Sequence, residues 1–317
     1  MTETRIVVSH AGGLVAEALL EKLSTSGYSA EQITLLDIDQ RVGVRHAFGK
    51  TYLAAHSHDD FDFAGCRILL MTESDADLYE RARAQGTFIV SHAIESSSPA
   101  CYYAPGFDHP DIPFNASELR LVGAEAACLL PALTAIQSIA TIKQVNLNFL
   151  KSVEFEGRAG VDELASQTVN LLNSKDVNSS AFEQQIAFNM LTEHENGNVE
   201  ADLAGLLKLK QGAIFQQSAI IPLFHGIAIS VQLIVETALD PVELEKQLSE
   251  IPKVKLETRS ISPISDCNQS FSCAISHLKQ GANSPSAVQF WLIADPMRYG
   301  LANNYVNVTE FLLKSFL

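Results

Sequence analysis

Apolar positions in the first part of the chain fall in short runs separated by small or polar turns. A run at 5–9, a small-residue turn, an apolar stripe at helical spacing ending at Leu23 and a second run at 33–36 predict a βαβ unit. Strands joined by a crossover helix pair in parallel. Further strand-sized runs at 67–71 and 87–90, with a helical segment at 75–85 between them, extend this to a doubly wound α/β domain.

From about Ala124 the pattern changes. A helix through Ala140, a run at 144–149 and a helix near 160–172 lead to an apolar, β-branched stretch, SAIIPLFHGIAISVQLIVE, that reads as a single long strand over 219–235. A strand of that composition suits a sheet core or a hydrophobic dimer face. The segment 191–200, rich in Glu and Asn, reads as a polar surface loop, and the tail as a strand at 288–294 followed by a helix over 299–316.

Composition narrows the function classes. With 37 acids against 22 Lys and Arg the net charge is −15, which repels nucleic acid and anionic lipid surfaces alike. The longest apolar stretch is broken by His225, Gly226, Ser230 and Gln232, so no membrane span is expected. The start, MTETRIVV, carries no secretory pattern, and the five cysteines show no CxxC spacing, which together point to free thiols in the cytoplasm.

Candidate chemistry is sparse. His56, His58, Asp59 and Asp60 form HSHDD, a spacing that would put two ligands on one strand face, but no third ligand is evident in sequence; a polar loop is expected and no metal is assigned. His109, before Pro110, reads as a turn residue. Nucleophile elbows, Walker loops and HExxH signatures are absent from the sequence.

Four segments carry a resemblance: AEALLEKL at 16–23, GRAGVDELASQTVNLLN at 157–173, QQIAFNML at 184–191 and VQFWLIADPMRYG at 288–300. In their order and spacing they resemble the aspartate-semialdehyde dehydrogenase family, especially its Usg-type paralogues. The resemblance implies a Rossmann-like dinucleotide-binding domain over 1–127 plus the C-terminal helix 295–317. It also implies an α+β dimerisation domain over 128–294 whose sheet packs across a homodimer two-fold. Active members of that family use NADPH, form a thioester on a cysteine and employ a histidine as acid/base.

Matched residue by residue, the family's site is altered. In the turn HAGGLVA, His10 stands for the first glycine, Gly13 is retained and Ala16 stands for the last. Thr72, Glu73, Ser74 and Asp75 replace a second phosphate loop, and two carboxylates there oppose a dinucleotide phosphate. Asp37 falls where an acid would hold a ribose hydroxyl and favour NAD, and reads otherwise as a loop acid. Gly300 is a further cofactor-side candidate, and Pro296 stands where the family offers an Asn.

Ala124 occupies the nucleophile position and Ile227 the acid/base position. His225 replaces a substrate arginine, Lys151 an orienting glutamine and Ser97 a phosphate arginine. Lys151 reads as a solvated charge. Cys128 reads as a small buried hydrophobe; a relocated Cys128–His225 dyad is the alternative, since positions 225 and 227 would share a strand face. The resulting expectation is a catalytically degenerate homodimer with a scaffold or regulatory role and no cofactor, with a protein or small-molecule partner unspecified. The alternative is an NAD(P)-dependent oxidoreductase acting on an aldehyde or acyl group.

Overall fold

The computed structural model describes residues 5–93, 101–105, 116–193, 199–281 and 284–315. It divides into two compact units, one of residues 1–127 with 300–317 and one of residues 128–299.

In the first unit the chain runs through β1 (Arg5–Val8), α1 (Leu14–Thr25), β2 (Ile33–Asp37), β3 (Arg45–Phe48), β4 (Thr51–Ser57) and β5 (Cys66–Met71). It continues through α2 (Ala76–Ala84), β6 (Phe88–Ser91), β7 (Cys101–Tyr103) and β8 (Glu118–Leu121) to the start of α3 (Ala124–Ile139). The sheet order is β3-β4-β2-β1-β5-β6-β8-β7, parallel except for the β3–β4 hairpin. Residues 6–8 of β1, 33–36 of β2 and 68–71 of β5 are buried on both sides of the sheet, as in parallel sheets covered on both faces. Their side chains meet in a core of Val7, Leu36, Phe63, Leu69, Met71, Leu78 and Ile89. The chain passes from β1 to β2 on one side and later returns to β5 on the other, so the carboxyl end of β1 is the switch point where such sheets form their crevice.

The second unit holds β9 (Ile142–Lys151), α4 (Gly157–Leu172), β10 (Leu191–Thr192), α5 (Val199–Leu207), β11 (Ile214–Ile220) and β12 (Ile227–Val235). Then come α6 (Pro241–Ser249), β13 (Val254–Glu257), β14 (Cys273–Gly281) and β15 (Ser284–Ala294). The mixed sheet order is β10-β11-β9-β12-β15-β14-β13. A π-helical turn at Pro296–Ala302 precedes α7 (Asn303–Ser315) of the first unit, whose fully buried Tyr305 donates to the Met71 carbonyl at 2.6 Å.

Two expectations need correction. The apolar stretch 219–235 is not one strand: β11 ends at Ile220 and β12 begins at Ile227, with a turn between them that carries Pro222 and ends at Gly226, at φ +100°. Its open face is mixed, with Ile234 exposed among polar residues. The register aligns Asn146, Gln232 and Gln289 across three strands, and Asn148, Ser230 and Trp291 beside them, while Val145, Leu147, Phe149, Val231, Leu233 and Phe290 are buried. The segment 191–200 is also more than a loop, since it contains β10 and the start of α5. Among the described residues no helix is long and apolar enough to cross a membrane.

Candidate functional site

The first unit gathers its polar residues at the carboxyl ends of β1, β2, β4 and β5. Gly13 caps α1, and its N–H donates to the His10 carbonyl at 2.8 Å. Tight closure of this turn puts His10 in the left-handed region at φ +51°, a conformation that costs a residue with a side chain but not a glycine.

Asp37 ends β2 and is 1% exposed, so it is no solvated loop acid. One carboxylate oxygen accepts the Gly12 N–H at 2.7 Å, and the other accepts the Ile38 N–H at 2.9 Å and lies 3.9 Å from Arg41. The ribose-binding role therefore finds this carboxylate already engaged by its own chain. The Arg41 guanidinium covers Gly12, where a Cβ would lie 2.6 Å from Nη1. Glu73 covers Gly13, 2.7 Å from where a Cβ would stand, and so supplies negative charge at the positive end of α1.

His10 does not simply fill the turn. Its Nε2 lies 3.7 Å from Asp75 Oδ2, and its Nδ1 is 3.0 Å from Ser9 Oγ. His58 approaches the same Asp75 oxygen with Nδ1 at 3.1 Å. Within HSHDD the two histidines do not share a strand face: β4 stops at Ser57, His56 is exposed and His58 turns inward just past the strand. Asp60 is exposed, and Asp59 Oδ1 faces His58 Nε2 at 3.3 Å. Ser97 and His109 lie outside the described residues.

In the second unit the polar centre is Glu154, in a 3₁₀ turn (Val153–Glu156) after β9 and only 2% exposed. It accepts from the Ser152 hydroxyl at 3.0 Å, the Gly226 N–H at 2.5 Å and His225 Nδ1 at 3.0 Å. The Glu154 hydrogen bond raises the His225 pKa above its ordinary 6.5, against the opposing effect of partial burial. Asp295, 1% exposed, has its carboxyl pushed up by burial and by Glu154, although Arg298 donates to it.

Lys151, read from sequence as a solvated charge, is buried at the end of β9, 2.8 Å from Glu193 Oε1 and 4.9 Å from the Phe155 ring centre. Ile227 is fully buried as the first residue of β12, and Ala124 opens α3 at 7% exposure. Cys128 is fully buried and lies near Tyr299. His225 precedes β12, and the positive φ of Gly226 breaks the two-residue alternation that the Cys128–His225 dyad needs. Pro296 and Gly300 are buried in the π-helical turn. Glu154, Glu193, Asp295, Arg298 and Arg41 went unremarked in sequence, where nothing in their spacing separates a buried acid or pinned arginine from a surface charge.

One unit is thus built on a doubly wound, largely parallel sheet and the other on a largely antiparallel sheet with amide side chains on its open face. Residues 133–299 match the family described as semialdehyde dehydrogenase, dimerisation domain, and the chain belongs to that family. A curated relative, the USG-1 protein homolog of Pseudomonas aeruginosa, is 27% identical over 98% of both chains. The crystal structure of aspartate semialdehyde dehydrogenase II from Vibrio cholerae matches with a TM-score of 0.89 at 20% identity, covering 99% of this chain and all of that one. A probable aspartate-semialdehyde dehydrogenase from Pseudomonas aeruginosa matches with a TM-score of 0.86 at 25% identity, covering 99% of each chain. The fold is thus that of the aspartate-semialdehyde dehydrogenases, with a dinucleotide-binding-type domain and a dimerisation domain, as the four sequence segments implied.

Proposed function

We propose that this chain is a homodimeric, catalytically silent relative of the aspartate-semialdehyde dehydrogenases that acts as a scaffold or regulatory partner. The carrying observation is that Ala124 and Ile227, at the positions matched to the nucleophile and the acid/base, have no ionisable group, while the nearby thiol of Cys128 is fully buried. The turn after β1 does not fit a dinucleotide pyrophosphate: Asp37 holds the Gly12 N–H, and Arg41 and Glu73 cover the two glycines. Purified protein given aspartate semialdehyde, phosphate and NADP or NAD is expected to reduce no nicotinamide. Turnover that disappears in Cys128→Ser or His225→Ala would overturn the reading, and a melting temperature raised by NAD or NADP would favour an NAD(P)-dependent oxidoreductase.

The dimer reading rests on the dimerisation domain and on the outer face of its sheet, where Asn148, Gln232 and Gln289 are exposed in flat rows able to hydrogen-bond to a second copy. Ser230→Arg, at the centre of this face, is expected to convert the dimer to a monomer in sedimentation velocity, because the two-fold places like charges against each other. An unchanged dimer in that variant would remove this face as the interface.

A further inference from the structure

We propose that His10, His58 and Asp75 form a binding site for a divalent transition-metal ion of the zinc class, with a fourth position open to water or an anionic group. Each residue offers one donor atom, and the three donors lie within 4.8 Å of one another. Two imidazoles and one carboxylate are the donor set such ions prefer over calcium or magnesium. Tetrahedral zinc with bonds of about 2.0–2.2 Å holds its ligands roughly 3.3–3.5 Å apart. The observed separations to Asp75 Oδ2, 3.7 Å from His10 and 3.1 Å from His58, need only small side-chain adjustments.

Further features go beyond the triad itself. The remaining nitrogen of each ring has a partner that fixes its orientation: Ser9 Oγ for His10 and the Asp59 carboxylate for His58. Metal-bound histidines are characteristically held this way, and a carboxylate behind the imidazole raises its basicity. Asp75 is anchored independently, because its other oxygen caps α2 by accepting the Leu78 N–H at 2.9 Å. The side chains are 11%, 15% and 17% exposed for His10, His58 and Asp75, sheltered yet open to an entering ion. Finally, His10 holds a backbone conformation that glycine would adopt without strain, and strain of this kind collects where a side chain has a task.

The site sits at the switch point of the sheet, where the carboxyl ends of β1, β4 and β5 bring three separate loops together. A bound dication there would be the largest local charge and would convert a turn flanked by Glu73 and Asp75 into an acceptor for an anion.

The test titrates Co²⁺ and Zn²⁺ into chelator-treated protein, following visible absorption for cobalt and heat for zinc. One ion per chain is expected, with roughly micromolar or tighter zinc affinity and a tetrahedral cobalt spectrum free of thiolate bands. Asp75→Asn, which keeps the helix cap, and His58→Ala should each weaken binding by at least about tenfold. His10→Gly should weaken it similarly while folding at least as well as the parent, since glycine suits that φ. His56→Ala is the control, with affinity unchanged. Absence of stoichiometric uptake, a thiolate-containing cobalt spectrum, or site variants that bind zinc as tightly as the parent would overturn the proposal.

Discussion

Glu154→Ala is expected to destabilise the protein by about 3 kcal/mol, measured as a lowered midpoint in urea unfolding, because it leaves buried donors without an acceptor. Glu154 accepts from the Gly226 N–H, the Ser152 hydroxyl and His225, and is itself 2% exposed. Gly226 cannot turn away to find water: its φ is +100°, and even a methyl group there would come 2.7 Å from Pro263 Cβ. The pH dependence should change as well. The His225 pKa is raised in the folded state, so its contribution is complete below the ordinary value of 6.5 and is lost as pH rises through the higher folded value. The contribution is small because His225 is 37% exposed and its charge is screened. Wild-type stability should therefore decline slightly as pH rises from about 6 into the weakly alkaline range, a slope that Glu154→Ala and Glu154→Gln both remove. Glu154→Gln keeps an acceptor for Gly226 and should lose about 1 kcal/mol. An alanine variant within 1 kcal/mol of wild type, or a slope that survives both changes, would show that His225 does not depend on Glu154.

How much of this was legible in the chain follows from the range over which each signal acts. The βαβ start was readable because the apolar run of β1, the stripe of α1 and the run of β2 are each local, and a crossover helix permits little besides a parallel sheet. The break between β11 and β12 was hidden because Ile221, Leu223 and Phe224 make an apolar turn; Pro222 and Gly226 were its signals, outweighed by the surrounding β-branched residues. Lys151 and Glu154 look like surface charges until the sheet closes and provides Glu193 for one and Gly226 and His225 for the other.

The His10, His58 and Asp75 cluster shows the same limit at longer range. The sequence drew attention to all three residues but grouped His58 with His56, because an i, i+2 spacing is visible locally and the end of β4 at Ser57 is not. What joins them is topology, since loops that follow parallel strands of one sheet emerge on the same side. Asp37 illustrates the converse. Its place at the end of β2 was foreseen, but the direction of its carboxylate, toward Gly12 of its own turn, depends on how tightly the His10 turn closes.

Gln167→Ala is the second large loss expected, about 3 kcal/mol, from a clamp joining two of the segments that carry the family resemblance. Gln167 is 1% exposed on α4, and its carbonyl oxygen accepts the N–H groups of Ile186 and Ala187 at 2.9 and 3.1 Å. Its amide nitrogen donates to the Asn178 carbonyl at 3.1 Å and to Glu163 at 2.9 Å. Glu163, one turn earlier, accepts the N–H groups of Ser180 and Ala181 at 2.7 and 2.6 Å. Burial pushes the Glu163 carboxyl up, but the Ala181 and Ser180 amides together with the Ser180 hydroxyl pull it below its ordinary value. These two side chains take the place of a sheet or helix partner for residues 178–187, a stretch without regular structure that carries Phe182, Ile186 and Ala187 into the core beside Val153 and Leu164. Truncating Gln167 leaves two buried amides unpaired, each costing about 1–3 kcal/mol, and loosens that cluster. Hydrogen exchange should locate the damage, with the Ile186 and Ala187 amides losing protection far more than those of β9 or β12. Protection lost evenly across the unit would mean that the segment is held by its apolar contacts and not by the amide clamp.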